Sequence, residues 1–375
     1  MSSRILYLAT ADARGHLMRA QLLVHALRKA GAHVDVLTTS EEGVQFLQRF
    51  DVQASVLSTH YAVQFDSEQN MLRKATNRNV GWYLFHPGRM LRDIVHLSRL
   101  LRETDLVIND SFHPALLYMG MLPGWRRKVV HVYGASLKAA LLSNFEGMWP
   151  RQFGKLFAWI VSRQINRARA CFEHDFAYEV DVCAQESVHA SSFKNALVYR
   201  LPTPVALAEA LNEPAADAAV YLNPHFAEPR LADALSAGLV DAGLTMHRVG
   251  EGYAGREGWL AVDPLWTSRA ASARMIVSAP GMAALSIAKV YRRPIVLVLS
   301  DQPEQATNAA RAVDMQLLHE AVIWRGDATE FQHQVAQAAM HMTAAPASTH
   351  GVNGDECAQA RIHVWVRHLL SLSAH

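Results

Sequence analysis

Met-Ile-Val-Ser-Ala-Pro-Gly at 275–281 is followed by Met282 to Tyr291, by Arg292-Arg293-Pro294, and by Ile-Val-Leu-Val-Leu at 295–299. After a short polar step comes Glu304-Gln305-Ala306-Thr307-Asn308-Ala309. Met275 to Ser278 is a short buried strand, and Gly281 is read as the tight turn behind it. Met282 to Tyr291 has helical composition, Pro294 stops it, and Ile295 to Leu299 is a second continuous apolar strand. Strand, turn, helix, strand and a polar loop opening another helix make a βαβ unit. It sets a helix N-terminus at the carboxyl edge of a parallel sheet, where open α/β sheets bind ligands. Free helix-terminal amides there favour an anion such as a diphosphate.

Outward from this unit the same grammar repeats. Downstream, a helix is expected from about Thr329 to Met342 and a final one over roughly Glu356 to Leu372, separated by the breaker Ala344 to His350. Upstream lie strands at Val220 to Leu222, Leu244 to Val249 and Trp259 to Val262, with a helix around Leu231 to Ala242. Residues 203–219, rich in Ala, Pro, Asn and acidic side chains, are the linker. The chain opens on another βαβ unit. Ile5 to Ala9 is a strand, Gly15-His16 starts a helix running to Lys29, and Val34 to Leu37 is the next strand. Leu17, Ala20, Leu23, Val24 and Leu27 give that helix one apolar face. Asp105 to Asp110 and Lys128 to Tyr133 are further strands, and Leu197 to Pro202 is read as the last of this half. The fold class is therefore α/β, with two Rossmann-like doubly wound parallel-sheet domains. They are expected at 1–202 and 220–354, with a terminal helix at 355–375 packing back on the first.

The totals narrow the partners. At 375 residues, two domains are the natural division. A formal net charge of +2 is too small to imply nucleic acid. Cys171, Cys183 and Cys357 show neither metal-ligand spacing nor pairing, which fits a reduced cytoplasmic chain. Met1 leads directly into the first strand, without space for a signal peptide. No apolar run approaches the roughly 20 residues needed to span a bilayer. Residues 79–102 and 136–170 interleave basic with aromatic and aliphatic side chains. They read either as amphipathic helices packed on a sheet or as a peripheral contact with the inner face of the cell membrane.

Two motifs then carry a resemblance that covers nearly the whole chain. Gly15-His16 after strand one resembles the N-terminal signature of plant-type nucleotide-sugar glycosyltransferases and of the peptidoglycan lipid-linked GlcNAc transferase. Gly281 to Pro294 with Glu304-Gln305-x-x-Asn308-Ala309 resembles their C-terminal donor signature. The resemblance implies a GT-B fold, its two domains facing a cleft. It further implies an inverting, metal-independent transferase of hexosyl or N-acetylhexosaminyl groups. No cofactor is implied beyond the nucleotide-sugar co-substrate, with a UDP-sugar first among donors. The acceptor is a hydroxyl the sequence does not identify, a glycolipid or cell-envelope acceptor among the options. His16 matches the family's general base, an imidazole suited to taking a hydroxyl proton near neutrality. Asp110 matches the carboxylate that orients it. His113 is a substitute base, or an ordinary loop histidine. Ser278, Gly281, Met282 and Ala283 fall at the donor diphosphate. Glu304 and Gln305 match the pair that contacts the donor sugar's hydroxyls, and Asn308 is expected to brace its own helix. Asp301-Gln302 is a second acidic-Gln pair that leaves the register open.

Three positions depart from the pattern. Ile287 stands where plant-type members carry the ribose-binding glutamate, and Ala279 replaces their phosphate-contacting histidine. Asn223-Pro224-His225 stands in for a glycine-rich loop. They keep open an unusual donor, or a catalytically degenerate partner or binding protein; a sugar-nucleotide 2-epimerase on the same fold is a third class, for which no motif matches.

Overall fold

The computed structural model describes residues 2–11, 14–58, 87–110, 113–135, 159, 162–164, 167–179, 190–193, 196–224, 226–300, 303–344 and 353–374. One compact unit takes the described residues of Met1–Gln64, Arg73–Pro204 and Ala360–His375, the other those of Val205–Gln359. Most of the 136–170 segment lies outside the described residues, as do 79–86, Asp301, Gln302 and His225.

The first unit is an eight-stranded sheet. Its strands are β1 (Arg4–Ala9), β2 (His33–Thr38), β3 (Ser55–Val56), β4 (Leu106–Asp110), β5 (Val129–Gly134), β6 (Ala170–Asp175), β7 (Ala190–Phe193) and β8 (Ala196–Pro202). The order is β3-β2-β1-β4-β5-β6-β8-β7, parallel except for β7, which pairs antiparallel with β8 at the edge. The chain reverses direction across the sheet between β1 and β4, whose last residues Ala9 and Asp110 are direct neighbours. A ligand site in an open α/β sheet belongs at such a reversal. Helix α1 (Arg14–Lys29) leaves from there, burying Leu17, Ala20, Leu23, Val24 and Leu27. Helices α2 (Glu41–Gln48), α3 (Pro87–Leu100), α4 (Pro114–Met119) and α5 (Pro123–Arg126) complete the described helices of this region. α3 packs one face on the sheet: Leu97 is fully buried, and Ile94 and Leu100 lie against the core of β1 and β4, while Leu91 and Val95 are exposed.

β6 went unread in the sequence because half of it is polar. Glu173, His174 and Asp175 follow three apolar residues, so no apolar run announces a strand. Hydrogen-bond partners make that burial tolerable: Asp175 accepts from the Ala177 amide two residues on, and His174 is hydrogen-bonded at both ring nitrogens.

The second unit holds β9 (Ala218–Leu222), β10 (Met246–Gly250), β11 (Trp259–Leu260), β12 (Met275–Ser278), β13 (Ile295–Leu299) and β14 (His319–Ile323). All are parallel, in the order β11-β10-β9-β12-β13-β14, with the reversal between β9 and β12. Its helices are α6 (Pro229–Asp241), α7 (Trp266–Ser272), α8 (Met282–Tyr291), α9 (Pro303–Asp314) and α10 (Ala328–Ala344). β14 and α7 were not read either; β14 is an edge strand, and its exposed residues break the apolar run. Gly238 lets α6 lie directly on α10, since a Cβ there would stand 2.6 Å from the Gln332 carbonyl oxygen.

Helix α11 (Gly354–Ser373) closes the chain. Its first residues belong to the second unit, where Asp355 accepts from the Tyr291 hydroxyl at 2.9 Å and from the Ala208 amide. From Ala360 it belongs to the first. Trp365 is fully buried, stacks on Phe172 with ring centroids 5.4 Å apart, and donates to the Pro202 carbonyl. Among the described residues no helix is long and apolar enough to cross a membrane.

Candidate active site

The fold brings His16 and Asp110 together. His16 starts α1 just past β1 and Asp110 ends the adjacent β4, so sheet register alone sets them side by side. His16 Nδ1 lies 2.7 Å from Asp110 Oδ1. Asp110 is entirely buried, while the His16 side chain is about one-third exposed (32%). Among the described residues no hydrogen bond reaches His16 Nε2. Asp110 does not cap the helix that follows it; among the described residues its carboxylate is hydrogen-bonded to Tyr7, His16 and Arg19. The cap of α4 is His113, whose Nδ1 accepts from the Ala115 amide. With Nδ1 so engaged and the side chain wholly enclosed beside Ser58 and Asp93, His113 is a structural residue rather than a substitute base.

Three residues of this cluster escaped the sequence reading. Arg19 Nε donates to Asp110 Oδ2 at 2.8 Å and Nη2 to Oδ1 at 2.6 Å, a two-pronged clamp. The Tyr7 hydroxyl, on β1, donates to Oδ2 at 2.9 Å. Arg19 Nη1 meets His174 Nε2 at 2.8 Å, and His174 Nδ1 lies 3.0 Å from Thr203 Oγ1. The legible signal was the spacing: Arg19 follows His16 by three residues and so shares its helical face. Tyr7 and His174 gave none, since a tyrosine inside an apolar strand and a histidine on an unread strand look like core and loop.

The charges interlock. Burial alone would raise the Asp110 pKa. The Arg19 and His16 charges, with the hydrogen bonds those side chains donate, outweigh it and hold the carboxyl below the ordinary carboxylate range. Burial, then the neighbouring Arg19 charge, push His174 well below an ordinary histidine, so it is neutral. An arginine only donates, so His174 Nε2 must accept and its proton sits on Nδ1, facing Thr203. Burial and the Asp110 charge push the Tyr7 hydroxyl far up, which keeps it a donor.

In the second unit, α8 starts at the sheet reversal. Gly281 is its N-cap, with no side chain satisfying the first-turn amides. The tight-turn reading of Gly281 is corrected: its φ of −79° and ψ of 151° are open to any residue, and a Cβ there meets nothing within 4 Å. Met282 and Ala283 are half-buried in that first turn, and Ser278 is buried at the end of β12. Asn308 does not brace its own helix. Its Nδ2 donates 2.9 Å to the Pro280 carbonyl, tying α9 to the loop before Gly281. Gln305 is buried, its Oε1 accepting from the Ser300 amide and hydroxyl. Glu304 lies in the first turn of α9; its side chain is outside the described residues. Two of the three departures from the resemblance face inward. Ile287 packs with Val205, Val290 and Ala358, and Ala279 belongs to the apolar core of the unit.

The sequence matches no family model and no curated protein. Solved structures do match over the full length. LpCGTa in complex with UDP has a TM-score of 0.61 at 17% identity, covering 100% of this chain and 99% of that one. Arabidopsis thaliana UGT89C1 complexed with UDP has a TM-score of 0.61 at 12% identity, with 98% and 100% covered. Spinosyn forosaminyltransferase SpnP has a TM-score of 0.57 at 13% identity and covers each chain completely. At such identities the likeness is one of fold, and the fold is that of the GT-B glycosyltransferases.

Proposed function

We propose that this chain is an inverting, metal-independent glycosyltransferase that moves a sugar from a nucleotide-sugar donor, with UDP-sugars first, to an acceptor hydroxyl. The observation that carries the reading is the 2.7 Å His16–Asp110 contact at the sheet reversal of a GT-B fold. Asp110 accepts from Nδ1–H, which leaves the Nε2 lone pair to take the acceptor's proton. The acceptor oxygen forms its bond to the anomeric carbon as the bond to the diphosphate breaks. The electron pair leaves with the nucleoside diphosphate. Displacement from the opposite face inverts the anomeric configuration. Asp110 stabilises the imidazolium that forms.

The second unit supplies the complementary charge. The uncapped first turn of α8, at Gly281, Met282 and Ala283, offers amides and a positive helix end to the departing diphosphate. That is the work a divalent metal performs in other transferases. Two of the matching structures hold UDP, which supports the donor class.

A thermal-shift panel of nucleotide sugars tests the reading, followed by His16→Ala with the donor that binds. One donor is expected to raise the melting temperature. The variant is expected to keep that shift while turnover falls about 10²-fold or more. No stabilisation by any donor would favour a binding protein on the same fold, and unchanged turnover would remove His16 as the base.

A further inference from the structure

Resting on the reading of His16 as the base, we propose that Arg19 is its positioning residue. The guanidinium keeps the buried Asp110 carboxylate ionised, and so holds His16 with its proton on Nδ1 and its Nε2 lone pair free. His174 and Thr203 in turn hold the guanidinium in place.

The geometry makes each step necessary. An ionised carboxylate has about four lone-pair sites. At Asp110 they are filled by His16 Nδ1 and Arg19 Nη2 on Oδ1, and by Arg19 Nε and the Tyr7 hydroxyl on Oδ2. Two of these contacts come from guanidinium nitrogens, which only donate, and in the third the Tyr7 hydroxyl gives its one proton to Oδ2. A protonated carboxyl would carry a hydrogen into this ring of donors.

His16 Nδ1 also lies 2.9 Å from Arg19 Nη2. One Nη2 hydrogen goes to Asp110 Oδ1 at 2.6 Å, and the other could reach Nδ1 only if that nitrogen carried no proton. The 2.7 Å contact of Nδ1 with Oδ1 decides between them: an ionised carboxylate only accepts, so the proton sits on Nδ1 and both nitrogens donate to the same oxygen. Among the described residues the groups facing His16 are Asp110 from β4 and Arg19 from its own helix, one charge of each sign, with Tyr7 of β1 and His174 of β6 one contact further out.

Without the arginine, a fully enclosed carboxylate keeps only His16 as a cation. Either Asp110 takes up a proton and donates it to Nδ1, which moves the His16 proton to Nε2, or His16 holds both protons as a permanent partner. Each outcome occupies Nε2 and disables the base. In the native cluster Arg19 carries the compensating charge, and His16 is released to exchange its Nε2 proton. A simple Asp–His pair lacks this division of labour.

Nitrogen-15 NMR of the ring nitrogens in histidine-labelled protein, with His16 assigned from His16→Gln, reads the tautomer without any substrate. In the native chain at pH 8 the Nδ1–H form with unprotonated Nε2 is expected. Arg19→Gln should lose it, to the Nε2–H form or to the imidazolium. Arg19→Lys keeps the charge and should keep the native form, and so should Tyr7→Phe, which removes a donor without changing charge. A folded Arg19→Gln protein that retains the native tautomer overturns the proposal. If Arg19→Gln does not fold, Arg19→Lys decides alone, because loss of the native tautomer there overturns it and retention supports it. The donor panel above fails or succeeds independently of this spectrum.

Discussion

Asn308 shows how a single amide ties one helix to the loop that opens another. It is 2% exposed, and its Nδ2 holds the Pro280 carbonyl that precedes the N-cap of α8. Asn308→Ala would strip a buried carbonyl of that donor, and an unsatisfied buried group costs about 1–3 kcal/mol. Urea unfolding should show a loss of that size. A change within a few tenths of a kcal/mol would mean the tie contributes little. Gln305 plays a comparable inward role through Ser300. At Arg19 the enclosed charge is tolerated because a carboxylate of opposite sign meets it in a two-pronged clamp, the arrangement a buried guanidinium requires.

At the scale of elements, α8 does its work through the end that is left bare. Gly281 is not needed for backbone conformation, and nothing in the protein crowds a side chain there. Its far end is closed instead by Arg292 in the left-handed region, φ 53°, two residues before Pro294. Gly281→Asp separates folding from function. Aspartate is a good N-cap, so the fold should hold or gain a few tenths of a kcal/mol. Its carboxylate would occupy the helix end and repel a diphosphate. A melting curve equal to or above the native one, with the nucleotide-sugar shift abolished, is the expected pair of results. A retained shift would move the diphosphate away from α8.

At the scale of the whole molecule, buried histidines set how stability follows pH. Burial holds His131 at about 4, and burial with the Arg19 charge holds His174 well below its ordinary value. Both are bases with depressed native pKa values. As pH falls below about 6.5, the unfolded chain takes up protons at these positions and the native chain does not. Stability must therefore fall with pH in that window, by up to about 1.4 kcal/mol per pH unit for each histidine. Asp110 acts in a lower window: its carboxyl is depressed, so its contribution is complete above the unfolded value of about 3.9 and is lost only below it. Urea midpoints should be level between pH 8 and 7 and clearly lower at pH 5.5. Equal midpoints at pH 7.5 and 5.5 would show that these imidazoles are not buried neutral.

The sequence by itself determined the α/β class and most of the strands, because apolar runs such as Ile295–Leu299 and turn breakers such as Pro294 are local signals. It also brought out His16 and Asp110, through the resemblance that Gly15-His16 carries and the polar end of the strand Leu106–Asp110. What it left undecided is what the polar side chains do inside. β6 was invisible because Glu173, His174 and Asp175 break the apolar run, and His174 is buried against partners distant in sequence, Arg19 and Thr203. Arg19 looked like an ordinary helical cation, and only the fold sets Asp110, 91 residues away, against it. Apolar burial is written residue by residue, since each such side chain prefers the interior whatever its neighbour. A buried charge is stable only beside its complement, and which residues become neighbours is decided by the tertiary structure.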